Sequence, residues 1–316
     1  MKDASTDTNC IIIKYSQSSE LRPFLQSLTS EPKARTSQND LPFTFSIMTV
    51  SESGNMSEEK RPVVSSLQDL TIMEAFDRGA TESKYVTFYL VTPEDELYFG
   101  QLFKKKKEIT IEEYNSALEH VPDSEIYPEV PQGVALTIAP GDLDDASAFV
   151  KRPGIACYES VKGTEFVPKG LLEETLIMEQ ISKTPHPNII RYLGCRIHRG
   201  RITSIVLERL DHTLMQYVHE PGFAQLDKTK FVDALESAVA YLHSLGLAHN
   251  DINPYNIMIK DGGQPVLIDF GSCQPFGGRL RSLGTPGWYE EIFYTSEAKH
   301  DTYALNKLRT WLENPQ

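Results

Sequence analysis

The chain has 316 residues, 40% of them hydrophobic, with a net charge of −13 and a pI near 5.1. This apolar content can fill a core, which excludes a wholly disordered or fibrous chain. The acidity argues against nucleic acid or an anionic membrane as partner of the whole chain. Nearly all of it lies in residues 1–150, net −12; residues 151–316, with 18 Lys/Arg against 19 Asp/Glu, are close to neutral.

The first long apolar run, residues 11–13, is far too short for a spanning helix or a secretion signal. Cys10, Cys157, Cys195 and Cys273 lie far apart without a C-x-x-C pair. They fit a reducing compartment, and neither a disulfide framework nor a zinc site. The expected location is the cytoplasm or nucleus, with no secretion and no membrane association.

Residues 1–66 contain 19 Ser or Thr and almost no periodicity. They read as a disordered tail, because stretches such as 51–61 bury too little apolar area to offset backbone ordering. Apolar islands at 10–14 and 41–50 interrupt the tail, and one of them adding a strand to the body is the alternative. Residues 67–124 read as a separate extension. Runs 85–91 and 97–103 flank Pro93-Glu94-Asp95-Glu96 as a hairpin. Thr110-Ile-Glu-Glu113 has capping-box spacing and predicts a helix through residue 120. The lysines 104–107 read as a solvated strand end rather than a nuclear signal.

The main domain is expected over 125–316. The pattern predicts a strand at 133–139, an acidic turn at 141–145 and a strand at 147–152. A helix follows with Leu172, Leu176, Ile177 and Ile181 apolar, then strands near 189–197 and 203–207. A second helix, 228–245, places Phe231, Leu235, Val239 and Leu242 on one face. Short strands at 257–260 and 265–268 complete the pattern. A β-rich half joined to a helical half predicts an α+β fold of two lobes with a ligand cleft.

The chemistry concentrates in His249-Asn-Asp-Ile-Asn-Pro-Tyr-Asn-Ile-Met258 and Ile268-Asp-Phe-Gly271. One carboxylate can orient a hydroxyl and receive its proton. An Asn amide oxygen and a second carboxylate are hard oxygen ligands suited to Mg²⁺ on a nucleotide. This set resembles the catalytic and metal loops of the eukaryotic protein kinases, H-R-D-x-x-x-x-N followed by D-F-G. Ala148-Phe-Val-Lys151, Pro185-His-Pro-Asn-Ile-Ile190, Leu207-Glu-Arg-Leu210, Gly284-Thr-Pro-Gly-Trp288 and Asp301 resemble further landmarks of that family in the same order. The chain is also similar to divergent fungal kinase-like proteins that share its H-N-D-I-N-P-x-N-I-M loop.

The resemblance implies a bilobal kinase-like fold, with a β-rich N-lobe to about residue 210 and a truncated, mainly helical C-lobe over 211–316. It implies ATP and Mg²⁺ as cofactors and Asp251 as base. Lys151 and Glu174 would clamp the phosphates, and Asn256 and Asp269 would bind the metal. Gly133 would sit in the phosphate loop, and Glu208, Leu210 and Met258 would line the adenine site. His249 and Phe270 are read as packing, and Cys273 as a quiet small side chain rather than a reactive thiol near the nucleotide. The partner would be a protein substrate met by a monomer.

Five departures qualify this. A single glycine, Gly133, stands where a glycine-rich loop is expected. Phe149 replaces a small residue and shares the Lys151 side of its strand, where it could fill the adenine site. Asn250 replaces the arginine that pairs with a phosphorylated activation loop. Asn253 replaces a lysine that would place charge on the transferring phosphate. Only 15 residues follow Asp301, too few for late C-lobe helices. The leading function is a Ser/Thr-type protein kinase. A pseudokinase closed by Phe149 and a phosphotransferase for small molecules, similar to aminoglycoside or choline kinases, are the alternatives.

Overall fold

A computed structural model describes residues 10–11, 61–76, 82–143, 147–155 and 158–315. The tail and apolar islands expected over 1–66 otherwise lie outside these residues, as do Asp144, Asp145 and Cys157. The chain divides into two compact units, Met1–Val121 and Pro122–Gln316. No described helix is long and apolar enough to cross a membrane.

The first unit is a five-stranded sheet of order β1-β2-β3-β4-β5, formed by Cys10–Ile11, Thr71–Phe76, Ser83–Val91, Leu97–Leu102 and Glu119–Val121. The expected hairpin is present, with Val91 opposite Leu97 and Asp95 left-handed (φ 59°) in its turn. Helix α1 (Ile111–Ala117) starts at the expected box, where Thr110 Oγ1 accepts from Glu113 N and Glu113 Oε2 from Thr110 N. It stops short of residue 120 because Leu118 turns extended and 119–121 pair with β4. Val64, Ile72, Phe88 and Tyr114 form the core. Val64 and Ser66, expected in the tail, therefore belong to this unit, where Ser66 caps a 3₁₀ turn.

The second unit opens with α2 (Asp123–Ile126). A three-stranded antiparallel sheet follows, of order β6-β8-β7, from Ala148–Lys151, Arg201–Glu208 and Tyr192–His198. Between β6 and β7 run α3 (Tyr158–Val161) and α4 (Phe166–Ser182). Pro168 is tolerated in α4 because first-turn N–H groups have no partner inside the helix. The buried face of α4, Leu171, Thr175, Met178 and Ile181, packs against β7 and β8.

The remaining elements are mainly helical. They are β9 (His212–Thr213), α5 (Leu214–Tyr217), α6 (Lys228–Ser244), β10 (Leu247–Ala248), β11 (Ile257–Lys260), β12 (Gln264–Leu267), β13 (Gln274–Pro275) and α7 (Ala298–Glu313). Helix α6 starts where the Asp227 carboxylate accepts Lys230 N at 3.1 Å. It buries the predicted stripe Phe231, Leu235, Val239 and Leu242 against α7 and β12. This unit is α+β with the strand-rich part first and the helical part second, the order expected of a bilobal kinase-like fold.

The strand expected at 133–139 does not form. Pro128–Val130 pairs with the β7–β8 turn, through Ile202 N to Pro128 O and Val130 N to Gly200 O. Residues 137–139 then bond Cys195 on β7, with Ile138 bridged parallel to it. Pro128, Pro131 and Pro140 supply no N–H to a ladder, and β6 pairs with β8 alone among the described strands.

Candidate active site

Strand β6 and helix α4 bring Lys151 and Glu174 together. Lys151 Nζ donates to Glu174 Oε1 at 2.5 Å and to Asp269 Oδ1 at 2.8 Å. Burial works against the ammonium, but the Asp269 and Glu174 carboxylates outweigh it and hold its pKa above the ordinary lysine value. Lys151 holds Asp269 down at about 2, against a smaller opposing effect of burial. Burial pushes Glu174 up despite its lysine partner. The cluster is thus a fixed cation between an ionised carboxylate and a buried one.

Residues 249–256 lie between β10 and β11. Asp301, fully buried on α7, accepts His249 N at 2.9 Å and Asn250 N at 2.8 Å. It also bonds His243 Nε2 at 2.9 Å. Asn250 adopts φ 63°, a conformation Asn tolerates better than most residues. His249 Nε2 donates to Ile268 O at 2.9 Å and Nδ1 accepts Asp251 N at 3.3 Å, which fixes a neutral tautomer. Its ring meets Phe270 edge-on at 5.2 Å, the packing role expected of both.

Asp251 is held by three neighbours. Asn256 Nδ2 donates to its Oδ2 at 3.0 Å, Asn253 Nδ2 to its Oδ1 at 3.1 Å, and Thr285 N to its Oδ1 at 2.7 Å. Burial raises its pKa, and the Thr285 hydrogen bonds partly oppose this. Gly284 is needed for that approach: a Cβ there would stand 2.9 Å from Asn250 O and 3.7 Å from Asp251 Oδ1.

Asp269 is left-handed (φ 61°, ψ 81°), with its carboxylate accepting Gly271 N at 3.2 Å. Ile268 N donates to Asn256 O at 3.0 Å, so the two loops run side by side. Asn256 uses its amide nitrogen on Asp251, which leaves Oδ1, the atom a cation needs, turned away from those bonds. An Asn oxygen and one carboxylate completed by phosphates and water suit Mg²⁺, which keeps few protein ligands. No group of three His, Cys, Asp or Glu side chains fit for a metal occurs among the described residues.

Other predicted positions are not gathered into this cluster. Gly133 (φ 74°) has open space around it, and its flanks pair with the β7–β8 turn and β7. Glu208 commits its side chain to Lys260 (2.9 Å) and Arg191 N (3.1 Å) and its own N–H to Arg191 O (2.9 Å). Leu210 follows β8 and is partly exposed, and Met258 pairs with Thr213 and Val266 in the β9-β11-β12 sheet. Phe149 pairs with Leu207, two residues from Lys151, and keeps 48% of its surface exposed. A cavity of about 390 Å³ near Met178, Tyr192 and Glu208 touches neither Lys151 nor Asp251.

Sequence reasoning missed Glu179, which accepts Thr137 N, Thr137 Oγ1 and the Tyr192 hydroxyl at 2.6, 2.9 and 2.9 Å. It also missed the pairing of Glu173 with Arg281. Both are long-range contacts without a local motif. Thr285 was within reach, since it lies inside the Gly-Thr-Pro-Gly-Trp landmark.

Residues 155–300 match the protein kinase domain family model. The chain is 30% identical over 167 residues to a serine/threonine-protein kinase/endoribonuclease IRE1 of Hypocrea jecorina, covering 47% of this chain and 12% of that protein. It is 36% identical over 162 residues to human serine/threonine-protein kinase/endoribonuclease IRE2, covering 47% and 16%. To serine/threonine-protein kinase CHK1 of Saccharomyces cerevisiae it is 28% identical over 193 residues, covering 58% and 36%. The chain thus spans well under half the length of each of these relatives.

Proposed function

The second unit carries a protein kinase domain whose relatives are serine/threonine kinases, and from that premise we propose that the chain transfers the γ-phosphoryl group of ATP to a protein hydroxyl. Asp251 orients the hydroxyl and takes its proton as the new phosphate ester forms and ADP leaves. Lys151, held by Glu174, contacts the nucleotide phosphates. Asn256 and Asp269 would hold Mg²⁺, which when bound neutralises phosphate charge. The observation that carries this reading is the joint contact set Lys151–Glu174, Lys151–Asp269 and Asn256–Asp251.

The test is a thermal-shift titration with ATP, with and without Mg²⁺, followed by phosphate transfer to generic protein and metabolite acceptors. Ligand binding raises the midpoint with concentration. Asp251→Asn should lower transfer at least a hundredfold while the shift with MgATP persists. No MgATP binding at millimolar nucleotide overturns the reading, and transfer to metabolites alone would point to a small-molecule acceptor.

A second reading, a binding module whose adenine site Phe149 covers, draws on two observations. The segment before β6 pairs away from Lys151, and Phe149 shares the lysine's strand face. It predicts that Phe149→Ala brings MgATP binding to a chain that otherwise shows none.

A further inference from the structure

The chain that follows Asp269 returns to helix α4 and grips it at Glu173. Arg281 Nε donates to Glu173 Oε2 at 2.7 Å, and Gln274 Nε2 reaches the same oxygen at 3.2 Å. Arg281 Nη1 also donates to Phe166 O at 3.1 Å, with its guanidinium 5.3 Å from the Phe166 ring centroid. The Arg281 side chain is only 17% exposed. An arginine with three attachments is held far more firmly than an ordinary surface ion pair.

Glu173 is the immediate neighbour of Glu174. The contacts therefore close a circuit: Asp269 to Lys151, Lys151 to Glu174, one helical residue to Glu173, then Arg281 and Gln274 back along the chain to Asp269. Consecutive residues project about 100° apart around a helix. Holding Glu173 from one direction and Glu174 from another fixes the rotation of α4, which neither contact does alone. Glu179 is tied near the other end to Thr137 and Tyr192. Asn250, which stands where an arginine was expected, spends its amide on Ala248 O, Ser272 O and Ser296 Oγ. The charge that joins this chain segment to α4 comes from the segment itself.

We propose that Arg281 is a positioning residue that sets the Lys151–Glu174 pair through Glu173, with no phosphate needed on residues 272–285. The proposal rests on the phosphotransferase reading only for its kinetic consequence. The test compares wild type with Arg281→Met, Arg281→Lys, Glu173→Arg and the exchange Arg281→Glu/Glu173→Arg, with Lys169→Ala as a control for lost charge on α4. Hydrogen exchange of residues 166–182 in the full chain is read beside transfer kinetics and phosphatase treatment.

Arg281→Met should speed exchange across α4 and lower kcat/KM about tenfold, mainly through KM for MgATP, while Lys169→Ala changes neither. Arg281→Lys should fall between wild type and Arg281→Met, because it keeps the charge and loses the fork. The exchanged pair should recover part of the loss, as coupled residues do. Unchanged exchange in Arg281→Met, strictly additive substitutions, or wild-type activity lost on phosphatase treatment would overturn it. If wild type neither binds MgATP nor transfers phosphate, the function fails and the exchange data still decide the role of Arg281.

Discussion

Asn253 donates its amide to Asp251 Oδ1 at 3.1 Å, so the residue two positions after the proposed base aligns it without adding positive charge. Asn253 also reaches Thr285 Oγ1 at 3.1 Å and is almost fully buried. It therefore ties the 249–258 loop to the segment 284–288 through a neutral amide.

Asn253→Lys should restore that cation beside the transferring phosphate and raise kcat about tenfold or more. A single well-placed charge or donor at a reacting centre is worth roughly 10²–10³ at most. Steady-state transfer rates at saturating MgATP check this. A fall in kcat with an intact fold would mean that the neutral hydrogen bond to Asp251 matters more than the missing charge.

Acid stability should carry the signature of Asp269. Its pKa is about 2 in the folded chain, below the ordinary 3.8, so the unfolded state binds more protons between these values and stability rises with pH there. The contribution is complete above about pH 3.9 and is lost as the pH falls toward 2. Lys151→Met removes the main cause of the depression, so thermal midpoints measured from pH 4 down to 2 should fall less steeply than in wild type. Asp251 and Glu174, both raised by burial, act in the opposite sense at higher pH.

Asp301→Ala should cost about 2–6 kcal/mol, because it strands the buried N–H groups of His249 and Asn250 at roughly 1–3 kcal/mol each. Urea unfolding measures this directly. A change below about 1 kcal/mol would mean that water or His243 replaces the carboxylate.

The parts of this fold that were readable in advance are those written contiguously in the chain. The loops at 249–258 and 269–271 carry their chemistry within a few residues, and the amphipathic stripe of α6 repeats every turn. The capping box at Thr110 was likewise local. The strand expected at 133–139 was not legible because strand pairing is decided by distant partners, and proline spacing sends residues 128–139 to the β7–β8 turn and to β7. β2 and the 119–121 strand were missed for a related reason. Their pairing with β3 and β4 depends on distant partners, and the helical spacing that starts at Thr110 runs on past residue 118. Thr137–Glu179 and Arg281–Glu173 join residues 42 and 108 positions apart, and nothing in either local sequence announces the other.

The pairing of residues 137–139 with β7 has one more consequence. A three-stranded sheet has two open margins, and unpaired strand margins invite other chains to add to them. Ile138 and its neighbours occupy the β7 margin at Cys195. The β6 margin is only four residues long and ends in Lys151 and Arg152, short and charged enough to discourage addition. Residues 137–139 therefore cover a strand margin that would otherwise offer unpaired N–H and C=O groups to another chain.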